Sequence, residues 1–353
     1  MKHDQHRREL GKEYISIVLC VALVKPREAS IAVTYACNAR CEMCNIWKRT
    51  DSSVIEPRHY LKLPRSLRTI NITGGEPFLR KDLVDVLKAI DSVVPSARIV
   101  FSSNGSLTET IVSRMRDIRA FHPRVGIGIS IDGMEGTHDR IRGVPGIFKR
   151  AISTVEGLKQ EGFTDLRIAM TLSEGNVYEA GKVLDLSRKL GVEFSITLAH
   201  DSEIYFQKTD NVSSVLLEAV PRVLPELVQS QLRSRSIKDW FRAYHTNGIL
   251  DPAIRETFIS HCEAGKRYFF MSPAGDIFPC NVMNEKIGNL AEVSRWNELF
   301  PSDVEKRVRL AVQNCRRDCW MVCNTRSLII SHPFKAGAWV AKKKVISSLR
   351  KAS

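Results

Sequence analysis

Six short apolar runs, rich in β-branched residues, recur between residue 30 and about residue 200 of this 353-residue chain. Each run precedes an amphipathic segment or a motif that leads into one, as expected for strands alternating with helices. The repeat of about 30 residues is the length that a strand, a crossover helix and the next strand require. The pattern predicts parallel βα units, with strands near 29–35, 67–73, 97–102, 124–131, 165–172 and 192–199.

The polar and glycine-rich motifs of this region come directly after predicted strands. In barrel-like α/β folds the carboxyl ends of the strands form the active-site face, so we expect the functional site there. The chain is longer than one core usually serves. We predict five segments: an N-terminal extension at 1–29, the core at 30–200, a helical connection at 201–260, a cysteine-rich domain at 261–326 and a basic tail at 327–353.

Three of the nine cysteines, Cys37, Cys41 and Cys44, lie in the spacing C-x3-C-x2-C after the first predicted strand. Structural zinc sites normally have four ligands, and His59 could complete one only across a long loop. Three thiolates also suit a [4Fe–4S] cluster in which one iron has no protein ligand. A disulfide framework is a poor interpretation, because the chain is long, lacks a clear signal peptide and has an odd number of cysteines. Clustered free thiols favour a reducing, cytoplasmic location.

A second motif, GGEP at 74–77, follows the second predicted strand. Together, CNARCEMC and GGEP resemble the two signature motifs of the radical S-adenosylmethionine (SAM) enzymes. The resemblance implies a partial (β/α)6 barrel of the TIM type, in which a [4Fe–4S] cluster on the three cysteines cleaves SAM reductively. The 5′-deoxyadenosyl radical would then remove hydrogen from a substrate, and a reductant such as flavodoxin or ferredoxin would supply the electron.

The same resemblance implies a set of SAM contacts. The two glycines of GGEP would let the backbone approach SAM closely. Glu76 would accept a hydrogen bond from the SAM ammonium or anchor the turn. Ser130 and Arg142 match a serine and an arginine that contact SAM in the family. The simpler interpretation is that Ser130 is an ordinary strand residue and Arg142 a solvated charge on a helix. Met43 departs from the family pattern, which often has an aromatic residue before the third cysteine. The predicted contacts are Gly74, Gly75, Glu76, Pro77, Asn104, Ser130, Arg142 and Leu198.

Five further cysteines lie between residues 261 and 326, around a predicted hairpin with the turn PAGD. This arrangement resembles the SPASM or twitch extension of radical SAM enzymes, which implies one auxiliary [4Fe–4S] cluster. Its ligands would be Cys262 and Cys280 with two of the last three cysteines, and a structural zinc ribbon is the alternative. The remaining cysteine, Cys20, is predicted to be a buried apolar residue. The candidate ligands are Cys262, Cys280, Cys315, Cys319 and Cys323.

The formal net charge is +14, from 53 basic and 39 acidic residues. This charge favours an anionic partner, although a solvated basic surface explains it more simply. A nucleic-acid-binding protein stabilised by zinc or a cluster is the non-enzymatic alternative, but the sequence has no aromatic and basic platform of the RNA-binding kind. For the substrate we favour a small or lipid-linked metabolite over a peptide. Peptide-modifying relatives often have a leader-binding domain, and about thirty residues precede the barrel here.

The tail segment FKAGAWVAKKKVISSLRKAS has the spacing of an amphipathic helix. One interpretation is a helix that rests on an anionic membrane, because basic residues and a tryptophan lie beside its apolar stripe. The other interpretation packs the stripe on the barrel or in a dimer. The predicted stripe consists of Phe334, Ala338, Ala341, Val345 and Leu349.

Overall fold

The computed structural model describes residues 25–259, 262–317, 319–322, 325–326, 329 and 332–349. Two cysteines of the sequence interpretation, Cys20 and Cys323, lie outside these residues. Within the described part, the six predicted strands are all present and each pairs in parallel with the next. They are β1 Glu28–Thr34, β2 Thr69–Gly74, β3 Arg98–Ser103, β4 Val125–Ser130, β5 Leu166–Leu172 and β6 Glu193–Leu198.

The outer face of this sheet is covered by the helices that connect the strands. Along β2, Ile70 and Ile72 are fully buried and belong to the same apolar cluster as the helix residues Leu83 and Leu87. The alternate residues of β2, β5 and β6 are mostly small or polar and half-buried, so they form the inner face. The helices are α1 Leu83–Val93, α2 Thr108–Phe121, α3 Glu135–Arg142, α4 Ile147–Gln160 and α5 Ala180–Leu190.

The sheet continues into the C-terminal part of the chain. The predicted hairpin is present, as the antiparallel pair β7 Tyr268–Met271 and β8 Asp276–Phe278, and β9 Gly288–Asn289 pairs with β8. Strand β7 lies parallel to β1 on the side that β2 leaves free. The strand order is β6-β5-β4-β3-β2-β1-β7-β8-β9, with β6 and β9 at the edges in the described residues. This open, curved arrangement confirms the predicted α/β fold of the partial-barrel type.

The connection between β6 and β7 is helical from residue 214 onward. It contains α6 Ser214–Arg233, α7 Ile237–Leu250 and α8 Pro252–Ile259, and α9 Ser302–Gln313 follows β9. The residues just before α6, 199–213, have no long helix and lie over the carboxyl end of the sheet, where they contact the cysteine loop. The functional face is therefore closed by a segment that comes from outside the βα repeat.

The tail forms a helix, α10 Pro333–Leu349, that packs on α6 and α7. Its buried side chains include Ala336 and Val340, whereas the stripe residues 334, 338, 341 and 345 are exposed, Phe334 to 90% and Val345 to 60%. The expectation that the stripe packs on the barrel is therefore wrong for these four residues, because the helix packs through Ala336 and Val340 instead. Lys344 lies over the ring of Trp240. Within the described residues, no helix is both long enough and apolar enough to cross a membrane.

Candidate active site

The cysteine loop follows β1 and is held on one side by the end of α3. The backbone N–H of Arg40 donates to the carbonyl of Arg142 at 2.8 Å, and that of Glu42 donates to the carbonyl of Ile141 at 2.9 Å. These bonds also satisfy carbonyls at the helix end, which lack partners within the helix. The loop is thereby fixed to the segment that carries Arg142.

The other side of the loop is held by residues 205–211. The N–H of Asn45 donates to the carbonyl of Phe206 at 2.8 Å. The side-chain amide of Asn211 donates to the carbonyls of Met43 and His200, at 3.1 and 3.0 Å. The cysteine loop therefore has a conformation set by protein contacts on both sides.

The thiols of Cys37, Cys41 and Cys44 are half-buried and close enough to influence one another. Burial raises the pKa of Cys37 to about 11 and that of Cys44 to about 12. Burial also raises the pKa of Cys41, against the effect of Arg142, whose Nη1 lies 3.6 Å from the Cys41 sulfur. Thiols this difficult to ionise stay protonated at neutral pH until a strongly positive group such as iron binds them.

A single ion and a cluster require different arrangements of the three thiols. Within the described residues, no three His, Cys, Asp or Glu side chains are placed to hold one metal ion. A [4Fe–4S] cube has a different requirement, because its thiolates ligate different iron atoms. Three free, half-buried thiols on one short loop are of the right type for that requirement.

The two glycines of GGEP lie against the cysteine loop itself. A Cβ atom on Gly74, whose φ is +134°, would be 2.1 Å from the carbonyl oxygen of Thr34, and one on Gly75 would be 2.3 Å from that of Ala36. The N–H of Gly75 donates to Thr34 at 2.8 Å, and the N–H of Glu76 to Ala36 at the same distance. Glycine is thus required by a close approach of two protein backbones, and the predicted contact with SAM remains a prediction.

Glu76 is fully buried and ties together the loops after β2 and β3. Its Oε1 accepts from the Ser103 hydroxyl at 2.9 Å and from the N–H of Phe78 at 3.3 Å, and its Oε2 accepts from the N–H of Asn104 at 2.8 Å. Burial raises the pKa of Glu76 to about 7, although these hydrogen bonds oppose the shift. Its described contacts are those of an anchor, the second of the two roles considered for it.

The other predicted SAM contacts lie at the same end of the sheet. Asn104 is buried and donates through Nδ2 to Asn38 of the cysteine loop at 2.8 Å. Ser130 ends β4 and Leu198 ends β6, both half-buried, while Pro77 begins a short 3₁₀ helix after β2. The fold therefore brings these residues to one edge, and their contacts with SAM remain predictions.

Arg142 forms a buried ion pair rather than the solvated helix charge considered above. Its Nη2 lies 2.5 Å from the Oδ2 of Asp132; the Asp132 side chain is fully buried and that of Arg142 is 11% exposed. Burial alone would lower the pKa of Arg142. The opposing effects of Asp132 and the Cys41 thiol are larger together, so the pKa is raised above its ordinary value and the guanidinium stays charged. Its Nε has no hydrogen-bond partner among the described residues. The positively charged guanidinium of Arg142, with its Nε–H donor unused, thus lies next to the cysteine loop.

Three residues of this site escaped the sequence interpretation. Asp132 lies two residues after the end of β4, and Tyr205 and Asn211 fall within 201–260, the segment predicted to be a helical connection. The Tyr205 hydroxyl is 2.8 Å from the hydroxyl of Thr73 and donates to the carbonyl of Gly74 at 3.1 Å. Burial raises the pKa of Tyr205. No sequence pattern marks such residues, because their roles come from contacts with residues that are distant in the sequence.

The second cysteine group is partly assembled. Cys262 and Cys280 belong to one small apolar cluster, which also contains Met321. Burial raises the pKa of Cys262, and the nearby thiol of Cys315 adds to that shift. Helix α9 ends at Gln313, so the chain turns before Cys315 instead of continuing as a helix. The residues present fit a metal cluster by type, and the ligand set remains a prediction.

Residues 31–186 match the family model described as the radical SAM superfamily. Both cysteine and glycine motifs lie inside this match. The matched residues run from β1 to α5, so this part of the chain is a radical SAM domain. This confirms the resemblance on which the cofactor expectations were based.

The relatives differ in what their names say they act on. The AdoMet-dependent heme synthase of Methanosarcina barkeri is 26% identical over 293 residues, covering 76% of this chain and 80% of the relative. The sporulation killing factor maturation protein SkfB of Bacillus subtilis is 24% identical over 299 residues, covering 82% and 68%. Among solved structures, SuiB of Streptococcus suis bound to S-adenosylmethionine has a TM-score of 0.63 at 16% identity, covering 86% and 72%. That likeness establishes the fold alone.

Proposed function

We propose that this protein binds a [4Fe–4S] cluster through Cys37, Cys41 and Cys44 and uses it to cleave SAM reductively. When bound, the cluster supplies the electron for cleavage, and the product radical removes hydrogen from a substrate inside the barrel. The observation that carries the proposal is the position of three neighbouring thiols beside the GGEP backbone, at the carboxyl ends of the strands.

The chain's own residues have distinct tasks in this proposal. Glu76 keeps the loops after β2 and β3 in register with the cysteine loop. Arg142, held by Asp132, places a positive charge next to Cys41, where it stabilises thiolate sulfur. Asn104, Ser130 and Leu198 lie where SAM would be bound, as the family resemblance implies.

For the substrate we propose a small or lipid-linked anionic metabolite, supported by the excess of basic residues. A peptide is the second candidate, because one relative is named as a maturation protein of a killing factor. We also propose one auxiliary [4Fe–4S] cluster on Cys262, Cys280 and two of the cysteines at 315, 319 and 323. A flavodoxin or ferredoxin is the proposed electron donor, and α10 the proposed peripheral contact with an anionic membrane.

The direct test is to incubate the anaerobically reconstituted protein with SAM and dithionite and to measure 5′-deoxyadenosine. We expect formation that depends on iron and on reductant. An iron-loaded protein that forms no 5′-deoxyadenosine, with or without candidate substrates, would contradict the proposed function.

A further inference from the structure

The inner face of the barrel contains one arginine whose charge the mechanism does not use. Arg167 lies on β5, in register with Gly128 of β4 and Glu193 of β6. A Cβ atom on Gly128 would be 3.0 Å from the Nε of Arg167 and 3.4 Å from its Cγ. The arginine side chain therefore lies across β4 on the inner face, in space that the glycine leaves open.

The carboxylates nearest to Arg167 are already bound by other residues. Asp165 receives two hydrogen bonds from Arg98, at 2.7 and 2.6 Å. Two basic side chains bind Glu193, namely Lys238 and Arg242. Arg242 also pairs with Asp239, and Arg326, which lies near Arg98 and Asp165, pairs with Glu28. With Arg167 included, five cations therefore face four carboxylates, an excess of one positive charge at this end of the barrel.

The side chain of Arg167 has no hydrogen bond or ion pair with any described residue. Burial lowers its pKa to about 10, and Arg98 contributes to the shift, yet the guanidinium stays charged at neutral pH. Arg167 is half-buried, and Asp165 and Glu193 act on it only at a distance, without a direct ion pair. Charges removed from water in this way are normally paired directly. An arginine kept in this state is better explained by a partner that arrives with a ligand.

The position of Arg167 suits the far end of a substrate. Ser130 ends β4 two residues after Gly128, so the guanidinium lies about 7 Å below the active-site edge at the usual rise of a strand. The neighbouring inner-face residues at these two levels are small: Ser102 is in register with Gly128, and Ala169 and Ser195 are in register with Ser130. A ligand that extends into the barrel from the active-site edge would therefore contact Arg167 before it reached the ion pairs of Asp165 and Glu193.

We propose that Arg167 binds an oxyanion of the substrate, a carboxylate or a phosphate, at the inner end of the barrel. The inference deepens the proposed function, because it assumes that the substrate enters the barrel from the cluster side. A guanidinium recognises either group through two parallel N–H donors, which would fix the orientation of the substrate's other end towards the cluster.

The test uses the holoprotein without SAM and measures its thermal midpoint against malonate and against inorganic phosphate, with sodium chloride at matched ionic strength. Comparing the two anions distinguishes carboxylate from phosphate. The variants are Arg167→Gln, Arg167→Lys and the control Arg116→Gln, which removes an exposed arginine paired with Glu161. The readout needs no SAM cleavage, so its failure and that of the proposed function are separate results.

We expect a saturable rise of the midpoint with at least one anion, in the wild type and the control alike. Arg167→Gln should weaken the apparent affinity tenfold or more, the scale for losing a charge-assisted hydrogen bond, and Arg167→Lys should weaken it less. Without anions, Arg167→Gln should melt no lower than the wild type. No anion effect in the wild type, or an equal effect in Arg167→Gln, would overturn the proposal, as would a several-degree loss of midpoint without anions.

Discussion

Glu76 shows how a family motif serves the fold before it serves chemistry. The carboxylate is buried among three donors, and its partners lie on the loops of two successive βα units. Because burial outweighs these bonds, the folded protein holds the Glu76 proton more tightly than the unfolded chain does. Its contribution to stability is therefore full below the ordinary pKa near 4.5 and is lost as the pH rises through about 7.

This account predicts a pH-dependent difference between the wild type and Glu76→Gln. The glutamine does not titrate, so the stability of the wild type relative to the variant should fall by up to about 3 kcal/mol between pH 5 and pH 8. Denaturant unfolding at several pH values measures it. Parallel pH profiles for the two proteins would show that the pKa of Glu76 is not raised.

Gly75 offers a second test of the contact between GGEP and the cysteine loop. In Gly75→Ala the new Cβ would meet two carbonyl oxygens at 2.3 and 2.6 Å, so the loop must move. We expect a loss of about 1–3 kcal/mol in the free energy of unfolding, together with lower iron content after reconstitution. The matched control is Gly136→Ala in α3, where a Cβ meets nothing within 4 Å and should leave stability unchanged or slightly higher. Equal effects of the two substitutions would contradict the account.

The strands and most helices could be predicted from the sequence because their signals are local. β-branched runs such as 67–73 can hardly be anything but buried strands here, and the observed β2 Thr69–Gly74 differs from that run by one or two residues. The outward direction of the α10 stripe could not be predicted. A pattern of apolar residues shows that a helix has two faces, but only the shape of α6 and α7 decides that Ala336 enters the groove.

That outward stripe gives the membrane proposal a sharper form. Phe334 and Val345 are exposed, with Lys335 and Lys342 exposed beside them. Two lysines near an anionic surface contribute about 2 kcal/mol, enough for weak, salt-sensitive binding. We expect co-sedimentation with anionic vesicles at low salt, and its loss in the double variant Phe334→Ser and Val345→Ser. Equal pelleting of both proteins, or of neither, would remove α10 from the list of membrane contacts.

The continuity of the sheet connects the two cysteine groups. Because β7 pairs with β1, the hairpin that leads to Cys280 is fixed to the strand that leads to Cys37. The sequence predicted both groups and the hairpin, since each has a local motif. It could not predict the β1–β7 pairing, which joins residues more than two hundred positions apart, or the Tyr205 and Asn211 contacts that close the site.

The auxiliary cluster can be tested through the two cysteines that the structure brings together. The double variant Cys262→Ala and Cys280→Ala should lose about half of the iron of the reconstituted wild type, because four of about eight irons would lack ligands. Iron and zinc analysis of both proteins measures this. Unchanged iron with loss of stoichiometric zinc would contradict the cluster and leave the zinc ribbon.

The most direct measurement of the central claim compares the wild type with the triple variant Cys37→Ala, Cys41→Ala and Cys44→Ala. Each protein is reconstituted anaerobically, its iron is counted, and 5′-deoxyadenosine is measured with SAM and dithionite; Cys20→Ala serves as the control. The account predicts that the triple variant retains about half the iron, on the auxiliary site, and forms 5′-deoxyadenosine only at background, while the control matches the wild type. Formation of 5′-deoxyadenosine by the triple variant at the wild-type rate would contradict it.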